Sequence, residues 1–182
     1  MSAQSLFDRL PELLKWIREA VAAHRSQARP VKDCGFSRLP DYYSDEVLNS
    51  ARVVTLPRVP VPPLTAMGIT EFPEFERGDF RGITYLDTYF VREGLEKEES
   101  LHFHELVHIV QWAHLGPERF LQSYVHGYSL AGGYRDNPLE SIAFDLQTRF
   151  EQTIDRFSVE PVVRQDLDDL PARIRKGEFQ RA

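Results

Sequence analysis

A helix with its own start and stop is predicted in the middle of the chain. Ser100 is a suitable N-cap residue, the segment from Leu101 to His114 contains no helix breaker, and Gly116 and Pro117 end the helix. The helix contains the motif His104-Glu105-Leu106-Val107-His108, whose two histidines lie one above the other because they are four residues apart. Two imidazoles in this arrangement can bind one zinc ion at about 2.0–2.1 Å. The fold must therefore bring a third ligand to this face of the helix.

One candidate for the third ligand is His114, which stands at the third-histidine position of the metzincin pattern HExxHxxGxxH. That pattern has a glycine three residues after the second histidine, where the chain turns back to the metal, but Gln111 occupies this place. The pattern also needs a methionine turn downstream of the histidines, whereas Met1 and Met67 both precede the motif. An unbroken helix aims His114 away from the metal, so we do not predict it as a ligand.

Glu140 is the second candidate for the third ligand. Asn137-Pro138 has the cap-then-proline form of a helix start, which places Glu140 in the first turn of another helix. A carboxylate from this helix would complete the two-histidine, one-glutamate set of a catalytic zinc site. The alternative is that Glu140 and Asn137 form a capping box, in which the glutamate only bonds the backbone of its own helix start.

The other elements predict a mainly helical α+β domain with a small β-sheet. Apolar residues at helical spacing predict an opening helix, with a break near Pro11 as the alternative; these residues are Leu6, Leu10, Leu13, Ile17 and Val21. Pro117 starts a helix directly after the motif helix. Short strands are predicted at Arg52 to Leu56 and within Gly82 to Arg92, where Leu86-Asp87 forms a bend between two strands. The predicted sheet therefore comes before the motif helix in the chain.

The length and composition are those of one domain. With 182 residues and 42% hydrophobic content, the chain can bury one sizeable core. We predict a single domain over residues 1–182, with an N-terminal part over 1–82, a metal-site core over 83–156 and a C-terminal tail over 157–182. The tail is polar, and only a short helix near Val162 to Leu167 is predicted within it.

Charge and cysteine content exclude several classes of function. The chain has 28 acidic residues against 22 Lys and Arg and no basic stripe, so nucleic acid is not an expected partner. Cys34 is the single cysteine, which rules out an intrachain disulfide and fits a reducing compartment. The sequence shows no signal-peptide core and no run of about 18 apolar residues, so we expect a soluble, cytoplasmic protein that does not enter a membrane.

The segment HELVHIVQW, followed by Tyr134 and by Asn137-Pro138-Leu139-Glu140, resembles the small bacterial gluzincin-like proteins, which are zinc-dependent peptidases with minimal domains. The resemblance covers roughly residues 83–156. It implies a zincin-like fold in which a small sheet packs on the motif helix and the Glu140 helix faces it. One departure is Phe144, which stands where thermolysin-like gluzincins have an aspartate that orients a histidine ligand.

The same resemblance implies His104, His108 and Glu140 as ligands of Zn²⁺ and Glu105 as the general base. Zinc lowers the pKa of its bound water toward about 7, and Glu105 would take the proton. The predicted function is therefore a zinc-dependent metallopeptidase or related amide hydrolase, with a peptide or protein substrate along the strand before the motif helix. Tyr134 is our first choice as donor to the developing oxyanion.

Several residues near the motif are weaker candidates for a role. Tyr124 and Tyr128 are alternatives to Tyr134, although all three can also be half-buried aromatic residues with no part in catalysis. Asp87 or Asp145 could accept the second ring N–H of a ligand histidine. His102 is predicted to face solvent, because it does not share the helical phase of the two motif histidines.

Two other functions fit the same residues. The chain could be a zinc-binding module with a zincin fold that performs no hydrolysis. It could also be a latent enzyme, in which the residues after Phe157 lie across the cleft as an added strand or turn.

Overall fold

The computed structural model describes residues 7–131, 133–152 and 155–179, which form an α+β, mainly helical structure. The strands are β1 Arg29–Pro30, β2 Arg52–Leu56, β3 Gly82–Tyr85 and β4 Thr88–Arg92. The α-helices are α1 Leu10–Ala23, α2 Asp45–Ser50, α3 Pro73–Glu76, α4 Glu99–Leu115, α5 Pro117–Ala131, α6 Pro138–Gln152 and α7 Val159–Arg175. None of the helices in these three ranges combines the length and the apolar character that a membrane span requires.

The strands form one mixed sheet in the order β1-β2-β4-β3. Strands β2 and β4 are parallel, whereas β1 with β2 and β3 with β4 are antiparallel. The predicted strands are confirmed, including the two-residue bend between β3 and β4, where Leu86 has a φ of 58°. The sequence prediction missed β1, which is only two residues long. Strand β3 lies at one edge of the sheet, and both β3 and β4 contact α4.

Helix α4, which carries the motif, is enclosed on all sides. Every residue from Leu101 to Trp112 is buried, because the sheet covers one side and α5, α6 and α7 cover the others. The helix starts two residues earlier than predicted, and Glu98 rather than Ser100 is at the N-cap position. It ends at Gly116, whose positive φ of 74° is accessible to glycine at low cost. The motif is therefore held in the interior.

The C-terminal residues form a long helix that belongs to the core. In α7, Val159, Val163, Leu167 and Leu170 recur at helical spacing and are all buried, and the helix packs against α4 and α6. The helix is therefore much longer than the short helix predicted near Val162 to Leu167, and one of its faces is buried. No α7 residue lines the pocket beside the motif, so the prediction that the tail lies across the cleft as a strand or turn is wrong for residues 159–175.

Candidate metal centre

The structure brings together the three side chains that the sequence predicts as metal ligands. The Nε2 atoms of His104 and His108 are 3.1 Å apart, and Glu140 Oε2 lies 3.5 Å from the first and 3.4 Å from the second. All three side chains are buried, with exposed fractions of 5%, 7% and 4%. Ligand atoms at about 2.05 Å from a tetrahedral zinc are about 3.3–3.4 Å from one another. This buried group could therefore hold a metal ion.

Glu140 uses its two carboxylate oxygens differently. Tyr124 donates a hydrogen bond of 2.8 Å to Oε1, whereas Oε2 is buried and has no hydrogen-bond partner among the described residues. A buried carboxylate oxygen without a donor is costly, and a cation at this position would satisfy it. The capping-box alternative is wrong, because Asn137 caps the helix through the Leu139 N–H and its own N–H donates to the Tyr134 carbonyl.

Two glutamines orient the histidine rings. His108 Nδ1 donates to Gln111 Oε1 at 2.8 Å, and His104 Nδ1 donates to Gln147 Oε1 at 3.0 Å. With a proton on Nδ1, a neutral histidine ring has its lone pair on Nε2, the atom next to Glu140 that would bind a metal. Gln111 is fully buried and also donates to the Leu139 carbonyl, so it lies behind the site and not in the cleft. This arrangement links the motif helix to the first turn of α6.

The predicted alternatives for this orienting role are wrong. Asp87 pairs with Arg25 on the surface, and Asp145 is exposed. The sequence contained a signal for Gln111, because a residue three positions after His108 lies beside it on a helix. Gln147 gave no such signal, because it reaches His104 from another helix, 43 residues away.

We expect Gln111→Leu to weaken zinc binding by about 10- to 100-fold, because the His108 ring loses the acceptor that holds it and the Leu139 carbonyl loses its donor. Competition with a chromophoric chelator measures the affinity. Gln165→Leu is the matched control, since the side chain of Gln165 is exposed on α7 and, within the described part of the chain, hydrogen-bonds Asp169 far from the candidate ligands. Equal zinc affinity of the two variants would contradict this role of Gln111.

Glu105 lies on the other side of the histidines, against the edge strand. Thr84 Oγ1 donates to Glu105 Oε2 at 2.6 Å, and Glu105 is 3% exposed. A Cβ atom at Gly82 would lie 2.4 Å from Glu105 Oε1, so only glycine leaves room for this carboxylate. The sequence analysis did not find Gly82 or Thr84, although a glycine inside a strand often marks a close approach of this kind.

The charges at the site oppose the effect of burial. Burial lowers the pKa of His108, but Glu140, Glu105 and Gln111 together outweigh burial and raise that pKa to about 9. Burial raises the pKa of Glu140, but His108 and His104 outweigh it, so the pKa lies well below its usual range. Glu105 is different, because burial raises its pKa despite the neighbouring histidines. Glu105 is thus the carboxylate of the site that gains a proton more readily.

Tyr134 and Tyr124 both lie next to Glu140. Burial, followed by the charge of Glu140, raises the pKa of each tyrosine well above its usual value, so both hydroxyls stay protonated. Tyr124 is the one that hydrogen-bonds Glu140 Oε1 and thereby orients the candidate ligand. Tyr134 is half-buried between the rings of Phe80 and Phe144, at the mouth of the pocket. The donor role predicted for Tyr134 stays a prediction.

The remaining histidines of the motif helix lie outside the site. His114 pairs with Asp168 of α7 at 2.8 Å, as expected for a residue aimed away from the metal. His102 is 1% exposed, so the prediction that it faces solvent is wrong. The Tyr89 hydroxyl lies 2.7 Å from His102 Nδ1, and burial lowers the pKa of His102 to about 4. His102 is therefore a neutral core residue.

A pocket with about 850 Å³ of empty space, part of it open to solvent, adjoins the site. Glu105, His108 and Glu140 line it at one end, and β3, α5 and the segment between β2 and β3 supply most of its wall. A substrate in this pocket would reach both the candidate metal position and the Glu105 carboxylate.

Comparisons of the chain with protein-family models, curated proteins and solved structures find no match. The resemblance to gluzincin-like proteins therefore rests on the motif residues of the sequence alone.

Proposed function

We propose that the protein is a zinc-dependent peptidase or a related amide hydrolase of the gluzincin type. The observation that carries the proposal is the buried oxygen Glu140 Oε2, which has no hydrogen-bond donor in the described part of the chain and lies 3.5 and 3.4 Å from the two histidine Nε2 atoms. It is supported by the position of Glu105 beside these ligands, at the end of a pocket large enough for a substrate.

The donor set suits zinc. Two imidazole nitrogens and one carboxylate oxygen are the protein ligands of many catalytic zinc sites, and they leave one coordination position for water or substrate. The pocket adjoins the residues that would hold the zinc, since His108 and Glu140 line it together with Glu105. Because Glu140 favours a protonated His108, zinc binding has to displace that proton.

Each residue of the site then has a chemical role. Bound zinc polarises a carbonyl and lowers the pKa of water. Glu105 accepts a proton from the attacking water and returns it to the leaving amine, and its raised pKa suits both transfers. The Thr84 hydroxyl holds the Glu105 carboxylate in place, Tyr124 holds Glu140, and Tyr134 donates to the oxyanion.

Metal content tests the proposal. Protein purified without added metal, or supplied with zinc afterwards, is expected to contain about one zinc per chain by elemental analysis. His108→Ala and Glu140→Ala are expected to lose the zinc, because each removes one of the three ligands. His114→Ala is the matched control and should keep it, since His114 bonds Asp168 outside the site. Wild-type protein that binds no zinc would contradict the proposal.

Glu105→Gln separates hydrolysis from metal binding. The variant keeps the shape of the side chain but cannot take a proton, so it should retain zinc and lose about 10²–10⁴-fold in turnover. Substrates for this assay are peptide amides. Zinc bound in the wild type without any turnover that depends on Glu105 would favour the binding module without catalysis.

A further inference from the structure

The wall of the pocket is apolar over most of its extent. Most of its buried lining residues are apolar, both aliphatic and aromatic. The aliphatic ones come from three parts of the chain: Leu13 of α1, Leu64 and Ile69 of the segment between β2 and β3, and Leu121 and Val125 of α5. The aromatic ones are Phe72, Tyr85, Trp112, Phe120 and Tyr128. An apolar group that binds against this wall is favoured, because apolar surface of both partners is removed from water.

The mouth of the pocket is aromatic. Phe75 lies 4.9 Å from Phe80 and 6.2 Å from Tyr124 between ring centroids, and Phe80 lies 5.4 Å from Tyr134. These four rings are half-buried, so they lie between solvent and the buried apolar residues of the pocket. A group that enters the pocket passes between them and the candidate metal ligands.

Charge is confined to one end of the pocket. Among the lining residues from the described part of the chain, the carboxylates are Glu105 and Glu140, and none is a lysine, an arginine or an aspartate. A charged side chain among the buried apolar residues of the pocket would therefore lose its hydration without gaining a partner of opposite charge. A polar uncharged chain would find few donors or acceptors there.

We propose that this pocket selects substrates with a large apolar side chain, aromatic or branched aliphatic, directly beside the amide bond that is cleaved. The inference deepens the proposed function and rests on it for the position of that bond. The pocket interior binds the side chain, and its continuity with Glu105, His108 and Glu140 places the neighbouring carbonyl at the site.

Binding to the Glu105→Gln protein tests the inference without turnover. The probes are blocked peptides, identical except for a central phenylalanine, leucine, glycine or lysine, titrated by calorimetry. Phenylalanine and leucine peptides are expected to bind about 10- to 100-fold more tightly than the glycine peptide, because burial of one such side chain accounts for this factor. The lysine peptide should bind no better than the glycine peptide. Equal affinity for all four peptides would overturn the inference.

Phe75→Glu places a carboxylate at the mouth, where the side chain is half-exposed and tolerates the change. It should reduce the preference for phenylalanine over lysine by about tenfold or more. Phe179→Glu is the matched control, because Phe179 is half-buried near Arg173, outside the pocket, and should keep the wild-type preference. An unchanged preference in Phe75→Glu would overturn the placement of the side chain.

The two proposals fail in different ways. If the protein prefers apolar peptides but shows no hydrolysis that depends on Glu105, the proposed hydrolase is wrong and the apolar binding site is supported. If the protein hydrolyses peptides with zinc but shows no preference among the four side chains, the hydrolase is supported and the apolar selectivity is wrong.

Discussion

A chain that ends at Phe157 is expected to lose its cooperative unfolding transition. The truncation removes α7, whose residues Val159, Val163, Leu167 and Leu170 are buried in the core. Burial of one such side chain contributes about 1.5–3 kcal/mol, so the four contribute about 6–12 kcal/mol. This is comparable with the total free energy of unfolding of a domain, about 5–15 kcal/mol.

Polar contacts of α7 add to this loss. The Val159 N–H donates to the Tyr42 carbonyl at 3.0 Å, and the buried carboxylate of Glu160 accepts from the Ser44 N–H at 2.8 Å. Without the helix, the Tyr42 carbonyl and the Ser44 amide lose these partners. The surface of α4 that packs against α7 would also be open to water, so the truncation acts on the helix that carries the motif.

The measurement is thermal unfolding followed by circular dichroism, with zinc content determined on the same samples. A chain that ends at Arg175 is the control, because it keeps α7. Among the described residues, it loses the partly exposed ion pair of Arg173 with Glu178, which contributes about 1 kcal/mol or less, and the half-buried ring of Phe179 near Arg173. It should unfold close to the wild-type temperature. A chain ending at Phe157 that unfolds cooperatively and gains activity would instead support the latent enzyme.

The parts of the site that sequence analysis predicted are those fixed by local chain geometry. His104 and His108 lie one above the other because four residues separate them on a helix, and Asn137-Pro138 places Glu140 in the first turn of the next one. Each prediction needed only a helix with an identifiable start. The contact between the two helices was predicted from chemistry, because two histidines that bind a zinc ion need a third ligand.

The residues that were missed reach the site from distant elements. Thr84 is 21 residues from Glu105 and Gln147 is 43 residues from His104, and neither has a local pattern that reveals its partner. His102 was predicted to face solvent because it does not share the helical phase of the motif histidines, but the other faces of α4 are buried as well over Leu101 to Trp112. Helix α7 was underestimated because its polar composition concealed one regular apolar face.

Gly82→Ala is expected to lower turnover by about 100-fold or more while zinc stays bound. The new methyl group would lie 2.4 Å from Glu105 Oε1 and 2.9 Å from Cδ, so the carboxylate has to move. Glu105 is buried and held by Thr84, so movement breaks the 2.6 Å hydrogen bond that positions it. A misplaced general base loses most of its contribution, which is typically about 10²–10⁴-fold.

The control for an added methyl group is Gly94→Ala, because no side chain or backbone atom lies within 4 Å of that position. Its positive φ of 85° makes alanine strained there, so the variant loses stability without any change at the site. It should keep both zinc and turnover. Loss of zinc in Gly82→Ala would show that the substitution disturbs the ligands and not only Glu105.

A double-mutant cycle decides whether Gly82 acts through Glu105. If the methyl group only displaces the carboxylate, Gly82→Ala added to Glu105→Gln should lower turnover no further, because the proton acceptor is already lost. Additive losses would mean that Gly82 contributes separately, for example through the strand that lies along the pocket. The pH profile gives a second readout. The single variant should lose the limb that reports the Glu105 carboxylate, whereas a general loss of folding would lower the whole profile.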